Sequence, residues 1–270
     1  MIKPIKLINN DKSQIFFASR LGGVSGDDNK DSPVYSLNLG FKKEYDSDEN
    51  VRKNYSIVAD TLGFSVNNII YAHQKHTDNI LVCNQEFLES NKSNMLPLPH
   101  DYIYDAMVTD IPGVLLSVRS ADCLPVLFWD EEHNAVGAAH CGWRGTLKKL
   151  QVKTALKMRE LYNTDLSKLK VFEGPCISKC CFEVSEDFYR DFIENLGVHI
   201  KMYFEKKDSG KYMCDLKGIN KTLLLEFAGI NEKNITISQN CTYCEEDLFF
   251  SHRRQGENRG SHASFIGVKS

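Results

Sequence analysis

Short apolar runs rich in branched and aromatic residues recur along the chain, between segments of helical periodicity. Such runs predict β-strands over residues 14–18, 69–71, 114–118, 126–129, 135–139, 171–172, 235–237 and 264–268. Apolar positions three and four residues apart predict helices over residues 51–62, 147–162, 188–196 and 218–229, the last capped by Gly229. Strands and helices mix without a regular strand–helix–strand order. The pattern therefore favours an α+β fold over a doubly wound one.

The chain has no internal repeat, no low-complexity tract and no linker rich in Pro, Gly or Ser. We expect a single domain over residues 1–270, because 42% hydrophobic residues can supply one substantial core. The polar segments 26–32 and 89–100 are predicted to be exposed loops, since they cannot bury enough apolar area.

Composition and charge indicate which partners and which cellular compartment to expect. A net charge of −3 lacks the basic excess that a nucleic acid partner favours. Residues 1–14 lack the apolar core of a secretory signal, and no later apolar run is long enough to cross a bilayer. Nine cysteines, an odd number at irregular spacing, favour reduced thiols. We expect a cytoplasmic protein without nucleic acid or membrane partners, and the sequence leaves its oligomeric state open.

The most informative segment is RSADCLPVLFWDEEHNAVGAAHCGWRG, residues 119–145. Two apolar runs flank a polar turn over residues 130–134, which predicts an antiparallel hairpin. If Trp129 pairs with Ala135, Cys123 faces Cys141, and a slip of one residue puts Cys123 opposite His140 instead. Either register brings Cys123 and His140 together at the open end of the hairpin.

A thiolate and an imidazole so placed can share a metal ion or act as nucleophile and base. The plainer alternative is a buried cysteine beside a core histidine. A functional site is favoured by the residues around this pair, because charged side chains and glycines are uncommon in a packed core. They are Arg119 and Asp122 just before Cys123 and the glycines of CGWRG after His140. The helix that follows offers free N–H groups to an anion beside Arg144, unless Arg144 is a surface charge stacked on Trp143.

A catalytic zinc ion has three protein ligands as a rule, so Cys123 and His140 need a partner. The motif HQKH supplies His73 and His76, and their spacing does not decide between them. Cys241 and Cys244 form a CxxC, but no second CxxC lies at zinc-finger spacing, which argues against a closed structural site. The adjacent cysteines at 180 and 181 suit neither an ordinary disulfide nor two ligands of one ordinary site.

Motifs from one end of the chain to the other resemble the YfiH-like family, whose domain was once labelled a multicopper polyphenol oxidoreductase or laccase domain. The matching motifs are SRLGGVS, YSLNLG, HQKH, DAMVTDIPGVLLSVRSADCLPVLFWD, VGAAHCGWRG, GPCI, FEV, CTYC and FFSHRR. The long central motif is specific, and the resemblance covers nearly the whole chain.

The resemblance implies that the metal ligands, and with them the catalytic centre, are His76, Cys123 and His140. It implies a layered α+β sandwich of mixed β-sheets with flanking helices, shared with the cytotoxic-necrotizing-factor-like toxins. The implied cofactor is zinc, with copper as the other possibility. The implied activity is phosphorolysis of adenosine, inosine, guanosine and methylthioadenosine, with deamination of adenosine. The partners are then a purine nucleoside and phosphate.

The candidate substrate contacts include one amide and several cationic side chains. They are Asn38 of YSLNLG, Arg119, Arg144 and Arg253 with its neighbour Arg254, because guanidinium matches the geometry of phosphate. At three positions the chain departs from the family pattern. It has Tyr55 after Asn54, Cys141 where many relatives have Ala, and Ser261 after Gly260, although Arg259 lies next door. The resemblance carries no substrate contact at those positions.

Other functions fit parts of the same sequence. A copper-dependent polyphenol oxidoreductase of the multicopper type needs about ten histidines in HxH pairs, whereas this chain has eight histidines and no HxH. A metal-free cysteine hydrolase or deamidase would use Cys123 as nucleophile and His140 as base. A non-enzymatic binding module is a further alternative, which the intact Cys123, His140 and GWRG disfavour.

Overall fold

The computed structural model describes residues 2–9, 12–27, 29–41, 44–91 and 102–269. Its strands are β1 Pro4–Asn9, β2 Ser13–Ala18, β3 Ile69–Tyr71, β4 Ile80–Val82, β5 Ala106–Thr109, β6 Leu115–Ser120, β7 Leu124–Asp130, β8 Ala135–Cys141, β9 Lys170–Glu173, β10 Glu183–Val184, β11 Phe204–Lys206, β12 Tyr212–Cys214, β13 Ile235–Ile237 and β14 His262–Val268. Its α-helices are α1 Asp48–Leu62, α2 Gln85–Asn91, α3 Trp143–Leu147, α4 Leu150–Tyr162, α5 Glu186–Leu196, α6 Leu216–Leu223 and α7 His252–Gln255. All eight predicted strands are confirmed, with ends that shift by no more than two residues.

The helix predicted over residues 147–162 is two helices. Its apolar spacing holds from Leu150, where α4 begins, but α3 ends at Leu147 and Lys149 adopts a left-handed conformation with φ of 56°. The predicted cap at Gly229 is confirmed: α6 continues into a π-helical turn that ends at this residue, whose φ is 68°. A left-handed φ of this size favours glycine.

The two predicted loops have different outcomes. Residues 26–32, as far as they are described, form turns whose side chains are mostly exposed. Residues 89–91 are instead the last turn of α2, and Asn91 is buried. Residues 92–100 lie outside the described part of the chain.

Two mixed sheets stack face to face and carry helices on their outer faces. The order of the larger sheet is β13-β9-β7-β8-β5-β4, and that of the second is β1-β2-β14-β6-β3. Between them lies one apolar core, to which Leu127 and Trp129 contribute from β7 and Leu116 from β6. Because β7 and β8 are covered on both faces, every residue in them is buried.

The outer faces complete the layers. Helix α1 packs Tyr55 and Val58 against the second sheet. Helices α4, α5 and α6, with the small sheet β10-β12-β11, cover the outer face of the larger sheet. Parallel pairs β3–β6, β4–β5 and β9–β13 occur beside antiparallel ones. The predicted α+β sandwich of mixed sheets with flanking helices is therefore confirmed.

Within the described ranges, none of the helices has the length and apolar character required to span a bilayer.

Candidate metal centre and its pocket

The hairpin of β7 and β8 brings the central motif together, in a register that differs from both predicted ones. Asp130, rather than Trp129, pairs with Ala135, so Pro125 lies opposite His140. Asp130 joins the strand because its carboxylate closes a shorter turn, in which it accepts the N–H of Glu132 at 3.0 Å and the Nδ1 of His133 lies 2.8 Å away.

The shifted register leaves Cys123 just beyond the last strand pair, diagonal to His140 across the hairpin. Cys123 lies in the short link through which the chain passes from the second sheet to the larger one. Asp122 in this link has a φ of 96°. Its carboxylate accepts hydrogen bonds from Thr242 Oγ1 at 2.7 Å, Ser251 Oγ at 3.0 Å and the N–H of Arg253 at 2.7 Å. These bonds fix the link that carries Cys123.

Asp105, the residue before β5, orients both histidines of the site. Its carboxylate lies 2.9 Å from Nδ1 of His140, which leaves Nε2 of that ring for another partner. The same carboxylate accepts the N–H groups of Lys75, His76 and Thr77 at 3.1, 3.0 and 2.6 Å. One buried carboxylate thus holds the HQKH loop against β8.

His76, and not His73, reaches Cys123. The Nε2 of His76 lies 3.7 Å from Sγ of Cys123, and its ring centroid is 5.0 Å from that of His140. The ligand atoms of His76, Cys123 and His140, here called the mixed cluster, lie within 4.8 Å of one another. His73 instead packs edge-on against Tyr71 with ring centroids 6.0 Å apart. The structure thus brings together the three residues implied by the resemblance, and their role as ligands stays a prediction.

The charges of the mixed cluster support one another. Burial acts to raise the pKa of the Cys123 thiol, but the charge and hydrogen bond of His140, with those of His76, lower it to about 6. Burial acts to lower the pKa of His140, yet the charge of Cys123 and the hydrogen bond with Asp105 raise it to about 9. Burial also opposes the ionisation of Asp105, but His140 and Thr77 lower its pKa to about 2. Each of these three side chains therefore favours the charged form of its neighbour.

A cavity of about 470 Å³ opens beside His76 and Cys123. The apolar side chains of its lining, here called the apolar wall, include Trp143, Ile177 and Phe182. Gly142 also borders the cavity, and a Cβ at this position would lie 2.8 Å from Sγ of Cys123. Glycine is therefore needed here for the close approach of the backbone to the thiol, which leaves one side of the mixed cluster facing the cavity.

The cationic side chains of the lining, here called the cationic wall, are Arg144, Arg253 and Arg259, of which Arg259 is the most distinctive. Its Nε and Nη1 atoms are buried and have no hydrogen-bond partner among the described residues. Burial lowers the pKa of the Arg259 guanidinium, and the nearby charge of Arg119 adds to this, whereas Glu257 and Asp122 oppose it. Buried N–H donors without a partner are costly, so the Nε and Nη1 side of the partly buried Arg259 can receive an anion.

Two of the predicted arginine contacts border the cavity and two do not. Arg144 lies in the first turn of α3 with its guanidinium 4.1 Å from the Trp143 ring, so the stacked alternative is observed at the edge of the cavity. Arg253 also borders the cavity, and its Nη1 donates to the carbonyl of Glu183 at 3.0 Å. Arg254 donates to three backbone carbonyls away from the cavity.

Arg119 and Asn38 lie outside the cavity lining. Arg119 packs over the Tyr71 ring at 4.1 Å, and its buried Nε has no hydrogen-bond partner within the described residues. The buried amide of Asn38 accepts the N–H groups of Gly40 at 3.0 Å and Ser261 at 2.9 Å and donates to Asp46 at 2.8 Å. Its hydrogen bonds are used within the protein, so Asn38 positions the segment after Arg259 rather than touching the cavity.

Sequence reasoning missed Asp105 and Arg259 as functional residues. Asp105 opens the motif DAMVTD, and a carboxylate directly before a buried strand was the available signal. In the sequence, Arg259 is only the neighbour of a departure from the family pattern. The burial that distinguishes it from other surface arginines arises from the tertiary fold.

Comparisons with known proteins agree with this architecture. The family model described as multi-copper polyphenol oxidoreductase laccase matches residues 14–269. A purine nucleoside phosphorylase of Bacteroides thetaiotaomicron is 32% identical over 223 residues, which cover 83% of this chain and 82% of that protein. Purine nucleoside phosphorylase YlmD of Bacillus subtilis is 30% identical over 263 residues, 97% of this chain and 90% of that protein. The crystal structure of the hypothetical protein YfiH of Bacillus licheniformis has a TM-score of 0.84 at 31% identity, covering 95% of this chain and 93% of that one. The chain therefore belongs to the YfiH-like family, as its motifs predicted.

Proposed function

We propose that this protein is a zinc-dependent purine nucleoside phosphorylase whose centre is the mixed cluster. The observation that carries the proposal is the position of Cys123 and His76 on the lining of a cavity that also holds an apolar wall and the unpaired Arg259. Relatives named purine nucleoside phosphorylase supply the reaction class. We include adenosine, inosine, guanosine and methylthioadenosine as substrates.

The donor set of the mixed cluster fits a zinc ion. Two imidazoles and one thiolate are a ligand combination that zinc accepts in catalytic sites, with a fourth position left open. The carboxylate of Asp105 beside Nδ1 of His140 is the partner that metal-bound histidines commonly have. A Cβ at residue 142 would intrude on Cys123 and His76, so Gly142 keeps the open side accessible. The sequence argument from eight histidines without an HxH pair disfavours a multicopper centre.

When bound, zinc supplies a Lewis acid that polarises an oxygen of the reactants. The remaining work falls to side chains of the protein. In phosphorolysis a phosphate oxygen forms a bond to the ribose carbon as the bond to the purine nitrogen breaks, and the electron pair leaves with the base. Arg259 would hold the phosphate through its two unpartnered N–H groups. Trp143 and Phe182 offer ring faces against which a planar purine can pack.

The decisive assay supplies inosine and phosphate to the zinc-loaded protein and measures hypoxanthine and ribose-1-phosphate. Omission of phosphate is the internal control. The HQKH loop provides a matched pair of variants: His76→Ala is expected to abolish turnover, whereas His73→Ala retains it. If the zinc-loaded wild-type protein forms no product, the phosphorylase proposal is wrong. Equal activity of the two variants would remove His76 from the site.

Deamination of adenosine belongs to the same proposal as a second activity of the cavity. The measurement is formation of inosine from adenosine without phosphate, with and without zinc. We expect His76→Ala to lose this activity as well, because both reactions use the same polarising centre. Deamination that survives in His76→Ala would assign it to a different mechanism.

A metal-free cysteine hydrolase is the second candidate. The arrangement of Cys123, His140 and Asp105 supports it, since a nucleophile, a base and an orienting carboxylate lie next to one another in space in that order. This mechanism needs no His76. Amide or ester hydrolysis by chelated protein that persists in His76→Ala and disappears in Cys123→Ser would favour it. Loss of all activity on chelation, with recovery on adding zinc, would favour the phosphorylase.

A further inference from the structure

Four cysteines from two distant segments meet outside the mixed cluster. Cys180 and Cys181 lie in the turn between β9 and β10, and Cys241 and Cys244 lie in the loop after β13. Their Sγ atoms all lie within 4.8 Å of one another. The sequence argued against a closed site because no second CxxC accompanies the first. The fold supplies the second pair as adjacent residues, and the sulfurs of Cys180 and Cys181 both reach the cluster, contrary to the expectation that adjacent cysteines do not suit one site.

The spacing of the thiols fits a shared metal ion better than a disulfide. Sγ of Cys244 lies 3.7 Å from that of Cys180 and 3.2 Å from that of Cys181. A disulfide requires about 2.05 Å between sulfur atoms. Four thiolates around one zinc ion at about 2.3 Å lie roughly 3.8 Å apart at tetrahedral angles. All four cysteines are free, so each can offer a sulfur.

We propose that Cys180, Cys181, Cys241 and Cys244, here called the four-cysteine cluster, bind a structural zinc ion. Each thiol releases its proton to solvent as its sulfur binds, so the complex carries a net charge of −2. Four protein ligands complete the tetrahedron and leave no position for substrate. The site is therefore closed, unlike the mixed cluster.

The surroundings of the four-cysteine cluster suit an anionic complex. The N–H of Ser178 donates to Sγ of Cys241 at 3.4 Å. The buried ammonium of Lys217 donates to Ser178 Oγ at 3.2 Å and to the carbonyl of Asn240, next to Cys241, at 2.8 Å. Arg254 Nη1 donates to the carbonyls of both residues between the two CxxC cysteines, at 3.0 and 2.6 Å. Two cations thus flank the loop that would carry the metal and offset part of its charge, while the carboxylate of Glu245 accepts the N–H of Cys241 at 2.8 Å.

The cluster joins the two segments that support the cavity. Ile177 and Phe182, on either side of the adjacent cysteines, line the apolar wall. Thr242, inside the CxxC, donates to the carboxylate of Asp122, which precedes Cys123. A zinc ion here would fix the cavity wall and the link that carries Cys123, so its role is positional and not catalytic.

Metal content of purified variants tests the proposal. We expect two zinc ions per chain in the wild-type protein and one fewer in the double variant Cys241→Ser with Cys244→Ser. Tyr243→Ala is the matched control: it changes an exposed side chain between the same cysteines and keeps all four thiols, so it should retain both ions. His140→Ala should lose the other ion, which separates this proposal from the proposed function. A double variant with wild-type zinc content would overturn it.

Cobalt substitution gives a second readout that does not require the double variant to fold. In cobalt-loaded wild-type protein, four thiolates should produce strong sulfur-to-cobalt charge-transfer absorption, most of which persists in His140→Ala. Absorption that His140→Ala abolishes would assign all bound cobalt to the mixed cluster and contradict the proposal. A Cys181–Cys244 disulfide in the native protein, detected by mass after alkylation without reduction, would also contradict it.

Discussion

The mixed cluster and the four-cysteine cluster each bring together side chains that can bind zinc, but their surroundings differ. In the mixed cluster, buried Asp105 orients His140, and Gly142 leaves one side facing a cavity of about 470 Å³. In the four-cysteine cluster, four thiols face each other and no carboxylate orients an imidazole. With zinc bound as proposed, the mixed cluster would have an open coordination sphere and the four-cysteine cluster a closed one, the distinction between reactive and structural metal sites.

The two clusters are also connected. Thr242, between the CxxC cysteines, donates to Asp122, and Asp122 in turn fixes the link that carries Cys123. The loop of the four-cysteine cluster and the link that carries Cys123 therefore share a direct hydrogen bond. This contrast predicts that substitutions in the mixed cluster abolish catalytic activity. Substitutions in the four-cysteine cluster should instead loosen the cavity and leave His76, Cys123 and His140 in place.

The largest expected effect comes from Cys123→Ala. We expect kcat/KM for inosine phosphorolysis to fall by roughly 1,000-fold or more, because a ligand of the reactive centre is lost. Cys141→Ala is the matched control. Cys141 directly follows His140 in β8, but its side chain is buried in the apolar core between the larger sheet and the helices that cover it. Steady-state kinetics on both variants check the prediction. A similar loss in both would mean that packing, and not the Cys123 thiolate, is what matters.

The sequence predicted the fold because apolar runs persist where strands are covered on both faces. β7 and β8 are buried throughout, and their continuous apolar character was readable without tertiary information. The small sheet of β10, β11 and β12 was not predicted, since these strands are two or three residues long and partly exposed. The one-residue error in hairpin register arose because side-chain bonds of Asp130, which no apolar pattern reveals, set the turn.

The site was predictable only where ligands lie close in sequence or in known motifs. The hairpin alone joined Cys123 to His140, and the resemblance selected His76. By contrast, Cys180 and Cys244 are 64 residues apart and meet through the packing of two loops. Asp105 and Arg259 owe their importance to burial, which depends on the whole fold. Spacing rules describe local ligands, so they missed what tertiary structure assembles.

The second prediction tests the support given by Asp105. In the otherwise wild-type protein, Asp105→Asn should weaken binding of the zinc ion that His140→Ala removes by about 10- to 100-fold, since the orienting acceptor of His140 is lost. Competition with a chromogenic chelator measures the affinity. Asp78→Asn is the control, because Asp78 is a nearby, partly exposed carboxylate paired with Lys153. Unchanged affinity in Asp105→Asn would show that the carboxylate does not orient a ligand.

The third prediction concerns the cationic wall of the cavity. Arg259→Ala should raise KM for phosphate by about 10- to 100-fold, the range expected when hydrogen bonds to a charged group are removed. KM for inosine should change less, and Arg259→Lys should recover part of the loss because it keeps the charge. Arg190→Ala on the exposed face of α5 is the control, as Arg190 pairs with Glu186 on its own helix. Equal changes in both KM values would point to a general disturbance of the cavity.

The smallest expected effect separates the acid sensitivity of the fold from that of the two clusters. Burial, with the charges of Arg259 and Arg20, lowers the pKa of His262 to about 3. Because the unfolded chain binds this proton near pH 6.5 and the folded chain does not, the free energy of unfolding falls as pH drops below 6.5. In chelated protein we expect His262 to contribute a loss of about 1.4 kcal/mol between pH 7.5 and 5.5. His262→Gln has no such proton to bind, so denaturant titrations should show a correspondingly smaller loss over that interval. Parallel pH dependence of the variant and the wild-type protein would exclude His262 as a source of this loss.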